Sequence, residues 1–67
     1  MSDYKQRVRA EKTELSERLS KLELFLGSDD FADVDAEQQT LLIRQAYVMS
    51  LYQDILTERI EAFTVPF

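Results

Sequence analysis

The sequence predicts an all-α fold, a two-helix antiparallel hairpin that assembles into a helical homo-oligomer. Three observations predict it. Apolar residues recur at three-, four- and seven-residue spacings through both halves of the chain. The single Gly and the single Pro fall at Gly27 and Pro66, which leaves two long uninterrupted segments. Finally, 67 residues make one domain at most, and a lone pair of helices of that size cannot cover both of its apolar faces.

The first helix is expected over about 3–26. Tyr4, Val8, Leu15, Leu19, Leu22, Phe25 and Leu26 form one stripe, Ser2 or Asp3 can cap its start, and Gly27 stands where a left-handed C-terminal cap is wanted. The connector, 27–35, is polar except for Phe31 and Val34, which are expected to fold back over the closed end. Asp35, with Gln38 three residues on, makes a capping-box arrangement, and Glu37 suits the positive end of the helix dipole. A second helix follows over about 36–63, with Leu41, Leu42, Ala46, Met49, Tyr52, Ile55, Leu56, Ile60 and Phe63 as its apolar positions. The short tail Thr64-Val65-Pro66-Phe67 leaves the helix because Pro disfavours helical geometry in the residue before it. Val8, Leu15 and Leu22 repeat every seven residues, as do Leu42, Met49, Leu56 and Phe63, so the two seams resemble those of a coiled coil. In the neighbouring columns, Glu11 and Arg18 fall with Tyr4 and Phe25, and Gln45 and Arg59 with Tyr52. Polar residues there either fix register, with Glu11 pairing Arg59 across the hairpin, or belong to a binding site.

Chains this short offset the entropy of ordering with disulfides, a metal or partner subunits. With neither Cys nor His, bridges and the usual zinc, haem and iron–sulfur ligands are missing, so no cofactor is expected and self-association remains. Leu41, Val48 and Ile55 widen the second helix's stripe beyond what one partner helix covers, and that flank is assigned to a subunit interface. No apolar run of about 18 residues and no cleavable signal pattern is seen, which reads as a soluble, intracellular protein. A formal net charge of −5 argues against binding DNA or RNA polymers. The charge is unevenly spread: Lys5, Arg7, Arg9 and Lys12 face only Glu11 over residues 5–12, whereas 29–37 holds Asp29, Asp30, Asp33, Asp35 and Glu37 with no base.

Catalysis has little support, since there is no phosphate loop and no nucleophile elbow, and the Glu11/Glu14 and Glu58/Glu61 pairs read as solvated charges. An antiparallel hairpin gathers Tyr4, Arg7, Arg9, Lys12 and Arg59 at its open end. Arg brings multidentate donors to phosphate oxygens and Tyr a face for a base, the parts needed for a small anionic nucleotide. A symmetric oligomer duplicates them, which suits a ligand with two phosphates and two bases.

The run Gln6-Arg7-Val8-x-x-Glu11-Lys12-x-Glu14-Leu15, with Leu19, Leu22 and Phe25, resembles the hairpin domain of small phage anti-CBASS and anti-Thoeris proteins. So does Leu41-Leu42-x-x-Gln45-x-x-x-Met49-x-x-Tyr52-x-x-Ile55-Leu56-x-x-Arg59-Ile60. The resemblance implies a sponge: a compact hexamer of helical hairpins, in the cytoplasm of an infected bacterium, that binds cyclic di- and trinucleotides and related immune signals without cleaving them. Carried over by position, the family's basic residue falls on or near Arg9, and its Gln and Met on Gln45 and Met49. Larger members carry a nucleotide-stacking Tyr on an extra short helix, for which Tyr4 is the substitute here. Their arginine for a cyclic trinucleotide would fall between Phe31 and Asp35, where this chain has none. The ligand-binding set is therefore Tyr4, Arg7, Arg9, Lys12, Gln45 and Arg59. The alternative is a small oligomeric module that binds another protein.

Overall fold

The structure, a computed structural model, describes residues 4–64. Helix α1 runs Tyr4–Leu26, a short 3₁₀ turn occupies Asp29–Asp33, and helix α2 runs Ala36–Thr64, antiparallel to α1. The expected caps Ser2 and Asp3 and the tail residues Val65, Pro66 and Phe67 lie outside the described residues. Thr64 does not leave the helix: it closes the last turn of α2, its hydroxyl donating to the Ile60 carbonyl at 2.7 Å. Among the described residues, no helix is long and apolar enough to cross a membrane.

At the start of α2 the Asp35 carboxylate accepts the Gln38 N–H at 2.9 Å, satisfying one of the free donors of the first turn. Gly27 departs from expectation, since no residue among those described, glycine or otherwise, has positive φ. The chain leaves α1 instead without any positive-φ residue. The Gly27 and Ser28 amides donate to the Glu23 and Phe25 carbonyls, and the Ser28 hydroxyl adds a second bond to Phe25 at 2.7 Å. Ser28 and Val34, both extended, then bracket the 3₁₀ turn and complete the reversal. Phe31 packs edge-on against Phe25, with ring centroids 6.0 Å apart, and its carbonyl accepts the Gln39 side-chain amide at 2.9 Å. Phe31 and Val34 thus half-bury themselves at the closed end.

The core is a single seam. Val8, Leu15, Leu19 and Leu56 are buried, with Met49, Ile60 and Phe63 packed against the cluster of Val8, Leu15 and Leu56. Burial follows Lys5, Val8, Lys12, Leu15, Leu19, Leu22 and Leu26 on α1, and Gln39, Leu42, Ala46, Met49, Gln53, Leu56, Ile60 and Phe63 on α2. One of the two columns expected on each helix is therefore correct and the other is not, apart from Phe25, which is half-buried. Glu11 and Arg18 are exposed, and among the described residues no ion pair joins Glu11 to Arg59. Columns three and four residues away from Val8 both satisfy the heptad rule, so spacing alone does not choose between them. The choice made spares a carboxylate and a guanidinium from burial and accepts Lys5 and Lys12, whose long stems can be covered while the ammonium stays wet. Midway along the seam the Gln53 amide donates to the Ser16 hydroxyl at 2.6 Å, and this bond fixes the register of one helix on the other.

The molecule is a rod, 50 × 21 × 16 Å, with a radius of gyration of 15.4 Å. A compact domain of this length would have about 11 Å. Its accessible surface of 5419 Å² likewise exceeds the roughly 4400 Å² of a globular monomer of this mass. Much of the excess is apolar: Leu41, Val48, Leu51, Tyr52 and Ile55 are exposed along α2, as are Ile43 and Tyr47.

Candidate functional site

Phe63 is the hub of the open end. Tyr4 meets it edge-on, with centroids 5.9 Å apart and planes at 82°. The Arg9 guanidinium lies 5.0 Å and the Lys5 ammonium 5.7 Å from the centre of the same ring. A phenyl face within about 6 Å attracts a cation through its quadrupole, so Phe63 positions both groups without neutralising them. Two consequences follow for binding. Arg9 is pre-positioned, and Tyr4, half exposed, keeps part of its ring available to a ligand.

The other expected ligand residues do not all meet in one hairpin. Arg7 precedes Arg9 by two residues, about 200° around the helix, and so faces away from it. Lys12 lies in the seam, half-buried. Arg59 is exposed, and among the described residues it has no hydrogen-bond or ion-pair partner within the hairpin; the same holds for Arg7. Gln45 stands on the same face of α2 as Arg59 but two heptads earlier, about 21 Å along the axis. Its amide reaches only the Met49 sulfur, at 3.8 Å, which brings together the two α2 residues singled out by the sponge resemblance.

What the fold does assemble is a flank. The Val8/Leu15 column of α1 and the Met49/Leu56 column of α2 lie on one side of the seam. Beyond them Tyr4, Glu11, Arg18 and Phe25 run along α1, beside Gln45, Tyr52 and Arg59 on α2. These are the positions expected to be core; apart from Phe25, which is half-buried against Phe31, they form an exposed flank that offers guanidinium, amide and aromatic groups to a partner. Charge at the open end is mixed: Lys5, Arg7, Arg9, Lys12 and Arg59 stand among Glu11, Glu14, Glu58 and Glu61. An anion would be held there by placed donors rather than by bulk positive potential. Residue spacing gave no warning of two contributors, the Phe63 hub and the Ser16–Gln53 bond. Both become visible once Lys12 and Gln53 are admitted to the seam, because the alternating three and four spacing of polar and apolar residues together sets the register.

No curated protein and no solved structure matches the chain. The family model described as Sequestin matches residues 2–62, which takes in both helices and the connector. Its name describes sequestration, binding rather than turnover, and it fits the sponge resemblance read from the two helix runs. On this match over nearly its whole length, the chain belongs to the Sequestin family.

Proposed function

We propose that this protein is a sponge that binds a cyclic oligonucleotide or cyclic ADP-ribose-like immune signal and holds it intact, so that bacterial anti-phage signalling is blocked. The observation that carries the reading is membership of a family named for sequestration. It is supported by guanidinium groups at Arg7 and Arg59 that have no partner among the described residues, by Arg9 posed on Phe63, and by a half-exposed Tyr4 beside them. Tyr4, Arg7, Arg9, Lys12, Gln45 and Arg59 are the proposed ligand residues. They are drawn from more than one hairpin of a homo-oligomer, a hexamer by the sponge resemblance, acting in the cytoplasm of the infected cell. A binder of this kind removes its ligand in proportion to its own concentration, and neither cofactor nor nucleic-acid polymer takes part.

Isothermal titration against a panel of cyclic di- and trinucleotides and cyclic ADP-ribose isomers tests the proposal. Saturable binding, with chemically unchanged ligand recovered after heating the complex, is expected. A well-folded protein that binds no member of the panel would overturn it. One observation favours a second reading, a module that binds another protein: the apolar flank of α2 at Leu41, Val48, Tyr52 and Ile55 is large for a 67-residue chain. Recovery of one stoichiometric protein partner, with no nucleotide in the purified complex, would favour it.

A further inference from the structure

The exposed flank of α2 is built to meet itself. Leu41, Gln45, Val48, Tyr52, Ile55 and Arg59 alternate at spacings of four and three, a second heptad seam about 100° around the helix from the one that faces α1. Leu51 edges this seam on its outer side, and Arg44 and Glu58 lie one heptad before and one heptad after it. We propose that α2 pairs antiparallel with α2 of a second copy about a two-fold axis at Leu51. The inference rests on the homo-oligomer invoked above and supplies its geometry.

Charge and shape select this register over its neighbours. With the axis at Leu51, each Val48 packs on the other copy's Tyr52 and the two Leu51 side chains meet. Each Arg44 then faces the other copy's Glu58, and each Arg59 lays its stem over the other copy's Leu41. A slip of one heptad in one direction sets Glu37 against Glu58 and Leu51 against Arg44. A slip in the other direction sets Leu51 against Glu58. A parallel pairing would bring Arg59 onto Arg59 and would leave Arg44 with no Glu58 opposite it. The surfaces are those that the hairpin leaves exposed, with Val48 at 60% and Ile55 at 53%.

The pairing also completes the dispersed site. Gln45 and Arg59 of one chain are about 21 Å apart. Across the axis, Arg59 lies level with the other copy's Ile43, about 3 Å along the helix from both its Leu41 and its Gln45. A two-fold axis perpendicular to the helices further requires both α1 helices to lie on the same side of the α2 pair. They flank a cleft whose walls carry Tyr4, Glu11, Arg18 and Phe25, and whose floor carries Gln45, Tyr52 and Arg59. The Ser16–Gln53 bond sets Arg18 level with Leu51, so the two Arg18 residues face each other across the cleft at the axis, with both Tyr52 rings beneath them. Two guanidinium groups and two phenol rings related by a two-fold match a ligand carrying two anionic groups and two planar rings, and such an anion would relieve their mutual repulsion.

Single cysteines introduced into a chain that has none provide the test, using a short bismaleimide on the full-length protein with helicity checked by circular dichroism. Leu51→Cys and Arg18→Cys are each expected to crosslink to themselves. Arg44→Cys and Glu58→Cys, each about 21 Å from its own copy, are expected to link only when the two variants are mixed. Arg44→Glu should weaken association at least tenfold, and Glu58→Arg added to it should restore it. An oligomer by native mass in which Leu51→Cys does not crosslink, or in which Arg44→Cys links to itself, overturns this pairing and leaves the oligomer standing. A monomer by native mass overturns both.

Discussion

Arg59 and Phe63 sit one helical turn apart, yet their substitutions should behave oppositely. Arg59 is exposed and, among the described residues, has no partner within the hairpin. Arg59→Ala removes no contact within the hairpin, so at dilutions where the ligand-free chain is monomeric its unfolding free energy in urea should change by no more than about 0.5 kcal/mol, as is usual for surface sites. If Arg59 binds an anionic signal it forfeits a charge-assisted hydrogen bond, and affinity by titration should fall roughly 10- to 100-fold. Phe63→Ala removes the packing partner of Tyr4 and the ring beneath Arg9 and Lys5. A loss of about 2–3 kcal/mol in the same unfolding experiment is expected, below the roughly 3–5 kcal/mol of a fully buried Phe because Phe63 is half-covered. The two residues also mark how far the sequence could be read. Phe63 was legible as seam because it repeats with Leu42, Met49 and Leu56. Its part at the open end was not, because the contacts with Tyr4 and Arg9 come from a chain segment more than fifty residues away and depend on register. Arg59 was legible as chemistry but was placed in the seam. The heptad rule allows either flank of a column, and only the burial cost of Glu11, Arg18 and Arg59 together decides which is used.

At the level of elements, both helices and the cap at Asp35 were readable because each signal is local: apolar period, one carboxylate and one break. The connector was less so. Gly27 invited a left-handed cap, whereas the observed turn closes through the Ser28 hydroxyl and a 3₁₀ segment, with no positive φ. The finding makes a prediction. A Cβ at residue 27 would lie 3.8 Å from the Glu23 carbonyl oxygen and 3.9 Å from that of Leu24, both ordinary contacts. Gly27→Ala should then stabilise the protein by about 0.4–1 kcal/mol in denaturant unfolding, by restricting the unfolded chain. Had the residue been left-handed, the same change would destabilise it.

At the level of the molecule, the rod's surface exceeds that of a globule by about 1000 Å², comparable with one partner's share of a standard protein interface. The assembly proposed above uses that surface, and its stability is then tied to concentration: the melting temperature should rise measurably between micromolar and millimolar protein. A melting temperature independent of concentration would argue for a self-sufficient hairpin. One detail of the connector reaches further. Because no described backbone position from 4 to 64 needs a glycine-only conformation, stereochemistry does not oblige the chain to double back. The reversal is held by side chains, chiefly Phe31 against Phe25 and Gln39 on the Phe31 carbonyl. Cutting that latch with Phe31→Ala and Gln39→Ala should let crowded molecules open and trade their second helices, and the exchange would be read as slowly interconverting swapped dimers on a sizing column. The bend is thus a fastening that can be undone, and the same pair of helices can be completed within one molecule or between two.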